Sequence, residues 1–227
     1  HFGRPGVTKG ERAAFPQARV VALAECGTHA MFAAKVGTYG QSEATLTEPL
    51  LQALEPGMLL TADRAFFSYA LWRRAIDTGA DLLWRVRTDS AGPKPTHLDD
   101  LADGSWLAHL RSNATAAARR QEPMLVRVVD YTIDDGRANA VSYRLFTTLT
   151  DPEEVSASEL AAAYTHRWEI EVAFDELKTH QRGPRTVLRS KSPDLVLQEI
   201  WGHLCCHYAI RTLMTQAAQH GGHDPDR

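Results

Sequence analysis

Tyr164, Arg167, Glu171 and Lys178 stand at the spacing Tyr-x2-Arg-x3-Glu-x6-Lys. At about 100° per helical residue, the four side chains fall within an arc of roughly 60°. Such a face presents a carboxylate flanked by two cations and a phenol. A carboxylate can hold a divalent metal while Arg, Lys and a hydroxyl grip phosphate oxygens beside it, which are the parts needed to cut or join a phosphodiester. A solvated amphipathic helix would use the same residue types for i,i+4 charge pairs, such as Arg167 with Glu171. The four-residue spacing favours the chemical reading. Trp168 lies on the same helix and is expected in the core, and Asp175 is a spare carboxylate expected to pair with Lys178 or a nearby Arg. His166 receives no role.

The elements that must position this face can be read from periodicity. Arg19–Glu25 and His29–Val36 are strand-like runs separated by Cys26-Gly27-Thr28, which predicts a hairpin. Ser42 opens a helix with Leu46, Leu50, Leu51 and Leu54 on one side, ended by Pro56-Gly57. The apolar run Met58–Ala62 is a buried strand that delivers Asp63 at its carboxyl end. Residues 66–78 read as a helix closed by Gly79, and 81–87 as a further strand. Beyond Thr88 lie Pro93 and Pro95, an Ala/Arg-rich piece over 114–120, and two strands over 124–133 and 140–149. The Asp134-Asp135-Gly136 turn between them predicts a second hairpin. Ser156-Ala-Ser-Glu159 is a capping-box pattern that starts the signature helix just before Leu160, and 195–214 reads as an apolar helix. Periodicity alone says α/β.

With 227 residues, 44% hydrophobic and 23% charged, the chain can bury one good core plus a smaller subdomain, which excludes disorder and fibre. A net charge of -3 and a pI near 6.4 argue mildly against a nucleic-acid partner. Local distribution corrects that average. Lys178, Arg182, Arg185, Arg189 and Lys191 follow Glu171 with no acid among residues 178–191, a run that suits phosphate. Three cysteines make no disulfide framework, and no signal or membrane-spanning stretch is evident, so a reducing cytoplasm fits. His203 and His207 stand one turn apart around Cys205-Cys206. A zinc site there is rejected, because no partner Cys-x2-Cys exists and small thiols pack well in cores.

The four-residue spacing resembles the signature of the DDE transposases of bacterial insertion sequences, in the insertion-sequence-4 family, whose Glu is the third catalytic carboxylate. Met58-Leu-Leu-Thr-Ala-Asp63-Arg64-Ala-Phe-Phe67-Ser-Tyr-Ala-Leu-Trp72 is similar to the segment of the second carboxylate, and residues 1–5 and 200–211 also read like family sequence. The resemblance implies a ribonuclease-H-like (retroviral-integrase-like) α/β core with a β-rich insertion subdomain. Residues 1–87 are then the first part of the core, 88–150 the insertion, 151–192 the signature helix with its basic extension, and 193–227 the C-terminal helix and tail. It implies a transposase that cleaves DNA and transfers strands at insertion-sequence ends. Asp63 and Glu171 would be its catalytic and metal-binding carboxylates, with Mg²⁺ as the cofactor and Mn²⁺ as its substitute. Tyr164, Arg167, Lys178, Arg64, Arg182 and Arg185 would contact DNA phosphates. Its partners would be double-stranded DNA, both transposon ends and target, and a second copy in a homodimeric active complex, with no membrane.

The sequence departs from the family in one respect. The first catalytic Asp of the family sits in an Asp-Gly-Thr segment on the first strand, whereas no Asp precedes Asp63, and Glu11, Glu25, Glu43, Glu48 and Glu55 lack that context. The expectation is a chain that begins just after the first catalytic strand, inactive on its own. A catalytically dead remnant that binds DNA or an intact copy is the alternative.

Overall fold

The computed structural model describes residues 1–5, 15–112, 115, 117, 120–133, 141–183 and 187–225. The Asp134-Asp135-Gly136 turn, most of the Ala/Arg-rich piece and Arg185 lie outside the described residues. The chain divides into two compact units, one formed by His1–Leu50 with Trp168–Arg227 and the other by Leu51–Arg167.

In the first unit, β1 (Ala18–Ala24) and β2 (Met31–Thr38) form the expected antiparallel hairpin. Period-2 alternation gives the hairpin two apolar faces. Val21 and Leu23 are buried on one, and the small residues Ala18, Val20, Ala22 and Ala24 line the other. Against those small residues pack α4 (Glu169–Asp175), the turn that follows it and α5 (Pro193–His220), through Ala173, Leu177, Ile200 and Leu204 together with Met31 of the hairpin. Each large aliphatic buried there contributes about 1.5–3 kcal/mol. The cap of α5 is Ser192, whose Oγ accepts from Leu195 N, and Pro193 occupies the first turn, where its missing N–H costs nothing. The helix α1 (Glu43–Thr47) is capped by Ser42 as expected, but after one turn it tightens into a 3-10 helix, Glu48–Ala53, a change the leucine spacing does not reveal. Gly37 is required where α1 meets β2: a Cβ there would lie 2.6 Å from Leu46 Cδ2 and 2.5 Å from Gln41 Oε1.

The second unit is built on a six-stranded sheet in the order β3-β4-β8-β7-β6-β5. The strand β3 (Leu59–Ala62) runs parallel to β4 (Asp81–Val86), joined by α2 (Tyr69–Ile76). The helix starts three residues later than periodicity suggests, because Ser68 caps it by accepting from Leu71 N. Four strands follow, each antiparallel to its neighbour: β8 (Val141–Thr147) beside β4, then β7 (Met124–Ile133), β6 (Trp106–Leu110) and β5 (Thr96–Asp100). The last two were not expected from sequence, and they extend the same sheet that holds β3 and β4. Helices cover both faces of β4, which explains why the consecutive residues Leu82, Leu83 and Trp84 are all buried. Trp84 meets Trp72 of α2 edge-to-face at 5.1 Å, with Phe146 beside them. Leu83, with Val129 and Leu145, packs against Leu160 and Tyr164 of α3 (Ala157–Thr165). The predicted capping box at Ser156 and Glu159 is present in both halves.

Arg127 stands in the middle of β7 and is fully buried. Its Nε donates to Ser105 Oγ at 2.8 Å, its Nη1 to the carbonyls of Val155 at 2.8 Å and of Leu149 and Asp151 at 3.3 Å, and its Nη2 pairs with Asp103. Asp103 in turn accepts the backbone N–H of Ala157 at 2.6 Å, at the start of α3. One guanidinium therefore ties the β5–β6 turn, the 149–155 segment and the first turn of α3. Burial opposes ionisation of Asp103, but hydrogen bonds from Ser105 and Ala157 and the charge of Arg127 outweigh it and bring its carboxyl down to about 2.

Candidate active site

The signature stretch is not one uniform α-helix. It runs as α3, a 3-10 turn at His166–Trp168, then α4, then a π-helical turn at Glu176–Gln181. The 3-10 turn winds tighter and the π turn wider than 3.6 residues, so the single arc that constant α-winding predicts does not hold. Tyr164 and Arg167 belong to the second unit, and Glu171 and Lys178 to the first.

Within the second unit, Asp63 follows β3 directly, half-buried at the carboxyl end of the parallel pair. One of its oxygens accepts the N–H of Arg64 at 2.6 Å, and Phe66 N closes the turn onto Asp63 O at 3.0 Å. Ala62 is in register with Trp84, so the ladder continues toward Asp63 on one strand and Arg85 on the other. Arg64 itself is exposed. Tyr164, in the last turn of α3, is buried, and its hydroxyl has no hydrogen-bond partner among the described residues. Burial raises its pKa, and Asp63 adds to the rise while Arg167 and Arg85 oppose it. The phenol is therefore a donor at neutral pH. The Arg167 guanidinium lies 5.8 Å from the Tyr164 ring centroid, a cation–π arrangement. Three of the residues singled out from sequence thus influence one another here: a carboxylate, a phenol and a guanidinium.

Within the first unit, Glu171 and Lys178 are both exposed. Lys178 lies in the π turn with its Nζ 5.0 Å from the Phe174 ring centroid. Arg182, just after the π turn, is half-buried. Among the described residues Asp175 meets Thr179 and His180, where Lys178 or an Arg was expected: Thr179 Oγ1 donates to it at 2.7 Å, and His180 Nε2 lies 3.6 Å away. The π turn re-aims the residues after Glu176, which brings Thr179 and His180 to the carboxylate. Trp168 is 57% exposed rather than in the core. It precedes Ala173, the buried centre of this face, by five residues, which at about 100° each places it well off the packed stripe.

His207 is fully buried and structural. Its Nδ1 accepts from Gln181 Nε2 at 3.0 Å and its Nε2 donates to His29 O at 2.9 Å. Sequence reasoning missed the cluster beside it. His29, at the hairpin tip, places Nε2 2.5 Å from Glu169 Oε2 and Nδ1 3.2 Å from Glu176 Oε1, while Arg211 of α5 pairs with Glu176. Burial disfavours the Glu176 carboxylate, yet Arg211 and His29 hold its pKa below the usual range. A signal was available: Glu169 and Glu176 sit seven residues apart on the stripe that carries Ala173, and carboxylates on a packed face need cationic partners.

Residues 1–209 match the family described as the transposase DDE domain. The chain belongs to the DDE transposase family. It is 30% identical over 211 residues to transposase InsG for insertion sequence element IS4 of Escherichia coli strain K12, an alignment covering 93% of this chain and 47% of that protein. The chain thus spans about half the length of the curated relative it matches. Membership in this family agrees with the mixed α/β architecture. Among the described residues, no three His, Cys, Asp or Glu side chains are grouped to hold a metal, and no helix is long and apolar enough to cross a membrane.

Proposed function

We propose that this chain is the catalytic part of a transposase that cleaves DNA at insertion-sequence ends and joins strands, using a divalent metal held by Asp63 and Glu171. The observation that carries the reading is the grouping of Asp63, Tyr164 and Arg167: a buried hydroxyl with no partner, under the influence of a strand-end carboxylate and a guanidinium. A buried polar group left unsatisfied is uncommon and asks for a ligand. Phosphate oxygen is a suitable one.

The donor chemistry fits a hard ion. Carboxylate oxygens suit Mg²⁺, with Mn²⁺ as a substitute, and two protein carboxylates leave positions for phosphate oxygen and water. When bound, such a metal supplies charge stabilisation and a more acidic water or 3′-hydroxyl at the reacting phosphate. The chain's own residues do the rest. Tyr164, kept protonated, donates a hydrogen bond to a phosphate oxygen. Arg167 offers a bidentate grip and Lys178 a mobile point charge, while Arg64, Arg182 and Arg185 extend the cationic path along the backbone.

We assign the hairpin, the β3–α2–β4 unit and the signature helices to a ribonuclease-H-like core, residues 1–87 and 151–192, with 88–150 as a β-rich insertion. Double-stranded DNA and a second copy of the protein complete the active complex. In the full-length protein, Asp63→Ala or Glu171→Ala abolishes Mg²⁺-dependent nicking of transposon-end DNA while leaving DNA binding largely intact, because each change removes metal charge but few phosphate contacts. Gel-resolved cleavage beside a binding isotherm measures both. Retained cleavage in either variant refutes the assigned role.

A further inference from the structure

We propose that His29 is a positioning residue for Glu171: by holding Glu169 directly and Glu176 through Arg211 it fixes the packed face of the signature helix and so aims the opposite face, which carries Glu171. The inference rests on the reading of Glu171 as a metal ligand.

Three observations within the first unit carry it. First, Glu169 and Glu176 lie two residues before and five residues after Glu171, and both point to the hairpin side, where Ala173 and Leu177 are buried. Glu171, at about 200° around the helix from Glu169, is exposed on the other side. One imidazole links the two carboxylates, Glu169 directly and Glu176 by way of Arg211. Arg211 Nη2 lies 2.8 Å from Nδ1 and also pairs with Glu176, so Nδ1 accepts from Arg211, the ring proton is on Nε2, and Nε2–H donates to Glu169 at 2.5 Å.

Second, His29 has φ +58, and it is the only non-glycine residue with positive φ among those described. A side chain in the left-handed region is strained and persists only where its surroundings hold it there. Here the surroundings do: His207 Nε2 donates to its carbonyl at 2.9 Å, and its ring is fastened at both nitrogens. Glycine would occupy the turn without strain, so the strained residue is present for its ring.

Third, the π turn begins at Glu176 and ends at Gln181, and both ends are tied, Glu176 to Arg211, which His29 orients, and Gln181 to His207. Tertiary hydrogen bonds thus hold an irregular winding directly after Glu171, and that winding sets where Lys178 lies relative to it.

The test uses the full-length protein and the variant His29→Gly, which keeps the left-handed turn comfortable and removes only the ring, with Glu169→Ala as a second variant. Without metal or DNA, backbone amides of residues 169–181 should exchange with deuterium at least about ten-fold faster in both. The Mg²⁺ concentration for half-maximal cleavage should rise about ten-fold, as expected on loss of a side chain that orients a metal ligand, with DNA affinity unchanged. Glu169→Gln, which preserves an acceptor for Nε2, should lie between parent and Glu169→Ala. Unchanged exchange overturns the inference, as does faster exchange with an unchanged Mg²⁺ requirement. Glu171→Ala is the separating control. If it abolishes cleavage while His29→Gly behaves as parent, only the positioning role falls; if it cleaves normally, the metal-ligand reading falls first.

Discussion

Arg127 in the sheet unit and Arg211 in the hairpin unit are both guanidiniums drawn away from solvent, with side-chain exposures of 0% and 14%, yet their partners differ in kind. Arg127 spends most of its donors on main-chain carbonyls of a single loop segment and on Asp103, which also accepts from Ser105 and from the N–H of Ala157 at the start of α3. It fixes the path of the chain. Arg211 bonds side chains, Glu176 and His29, that sit on or against a helix face flanking a candidate metal ligand. It fixes the direction of a face. A buried charge therefore points to function only through what its partners hold in place, and the cluster with the stronger pKa depression is the architectural one.

The comparison can be broken most forcefully at Arg127. Replacing it with Met takes away the cationic partner of Asp103 and leaves several carbonyls unpaired, and loss of one member of a buried pair costs about 3–5 kcal/mol. Urea unfolding of parent and Arg127→Met should show that loss. A small change in stability would mean that Arg127 is no more architectural than Arg211.

A milder perturbation of the same hub is acid. The Asp103 carboxyl has its value lowered from 3.8 to about 2 by folding, so its contribution is fully present above about pH 4 and is lost as pH falls through about 2. Integrated over that difference the contribution is about 2 kcal/mol. Stability measured from pH 5 to pH 2 should fall less steeply in Asp103→Asn than in the parent, and parallel curves would contradict the assignment.

The smallest effect on stability and the sharpest on DNA should come from the exposed side of the comparison. Arg167→Ala with Lys178→Ala should weaken binding to transposon-end DNA and flatten its salt dependence by about 0.9 log units per lost phosphate contact. Melting should change little, since partly exposed charges contribute about 0–1 kcal/mol. Affinity against salt concentration, with a thermal melt as control, measures both. An unchanged salt slope with a lowered melting temperature would show that these cations brace the helices instead.

What the sequence made legible is what local pattern determines. The hairpin followed from two alternating runs around Gly27, β3 from its apolar run, and the start of α3 from Ser156 and Glu159, because a cap is a contact between residues three apart. The strand β5 was not legible: all five of its residues are exposed, so no alternation betrays it, and its Asp99 and Asp100 suit an edge that must not pair further. The strand β6 left a fainter mark in Trp106–Leu110, hidden by the turn residues before it. Arg127 within Met-Leu-Val-Arg-Val-Val looks like an outward-facing strand residue, and only the carbonyls at 149–155, more than twenty positions away, make its burial tolerable. The four signature residues were visible as a set, but their common face was not. The π turn is held by Glu176–Arg211 and Gln181–His207, which are 35 and 26 positions apart and leave no trace in the helical period.

The central claim is that Asp63 and Glu171 serve one metal-dependent centre. The most direct measurement is a crystal structure of the full-length protein with Mn²⁺ and transposon-end DNA, the metal located by its anomalous scattering. The account predicts Mn²⁺ at carboxylate oxygens of both residues, the two carboxylates within about 4–8 Å of each other and a DNA phosphate beside them. Mn²⁺ bound away from both, or the two carboxylates on opposite sides of the assembled core, would contradict it.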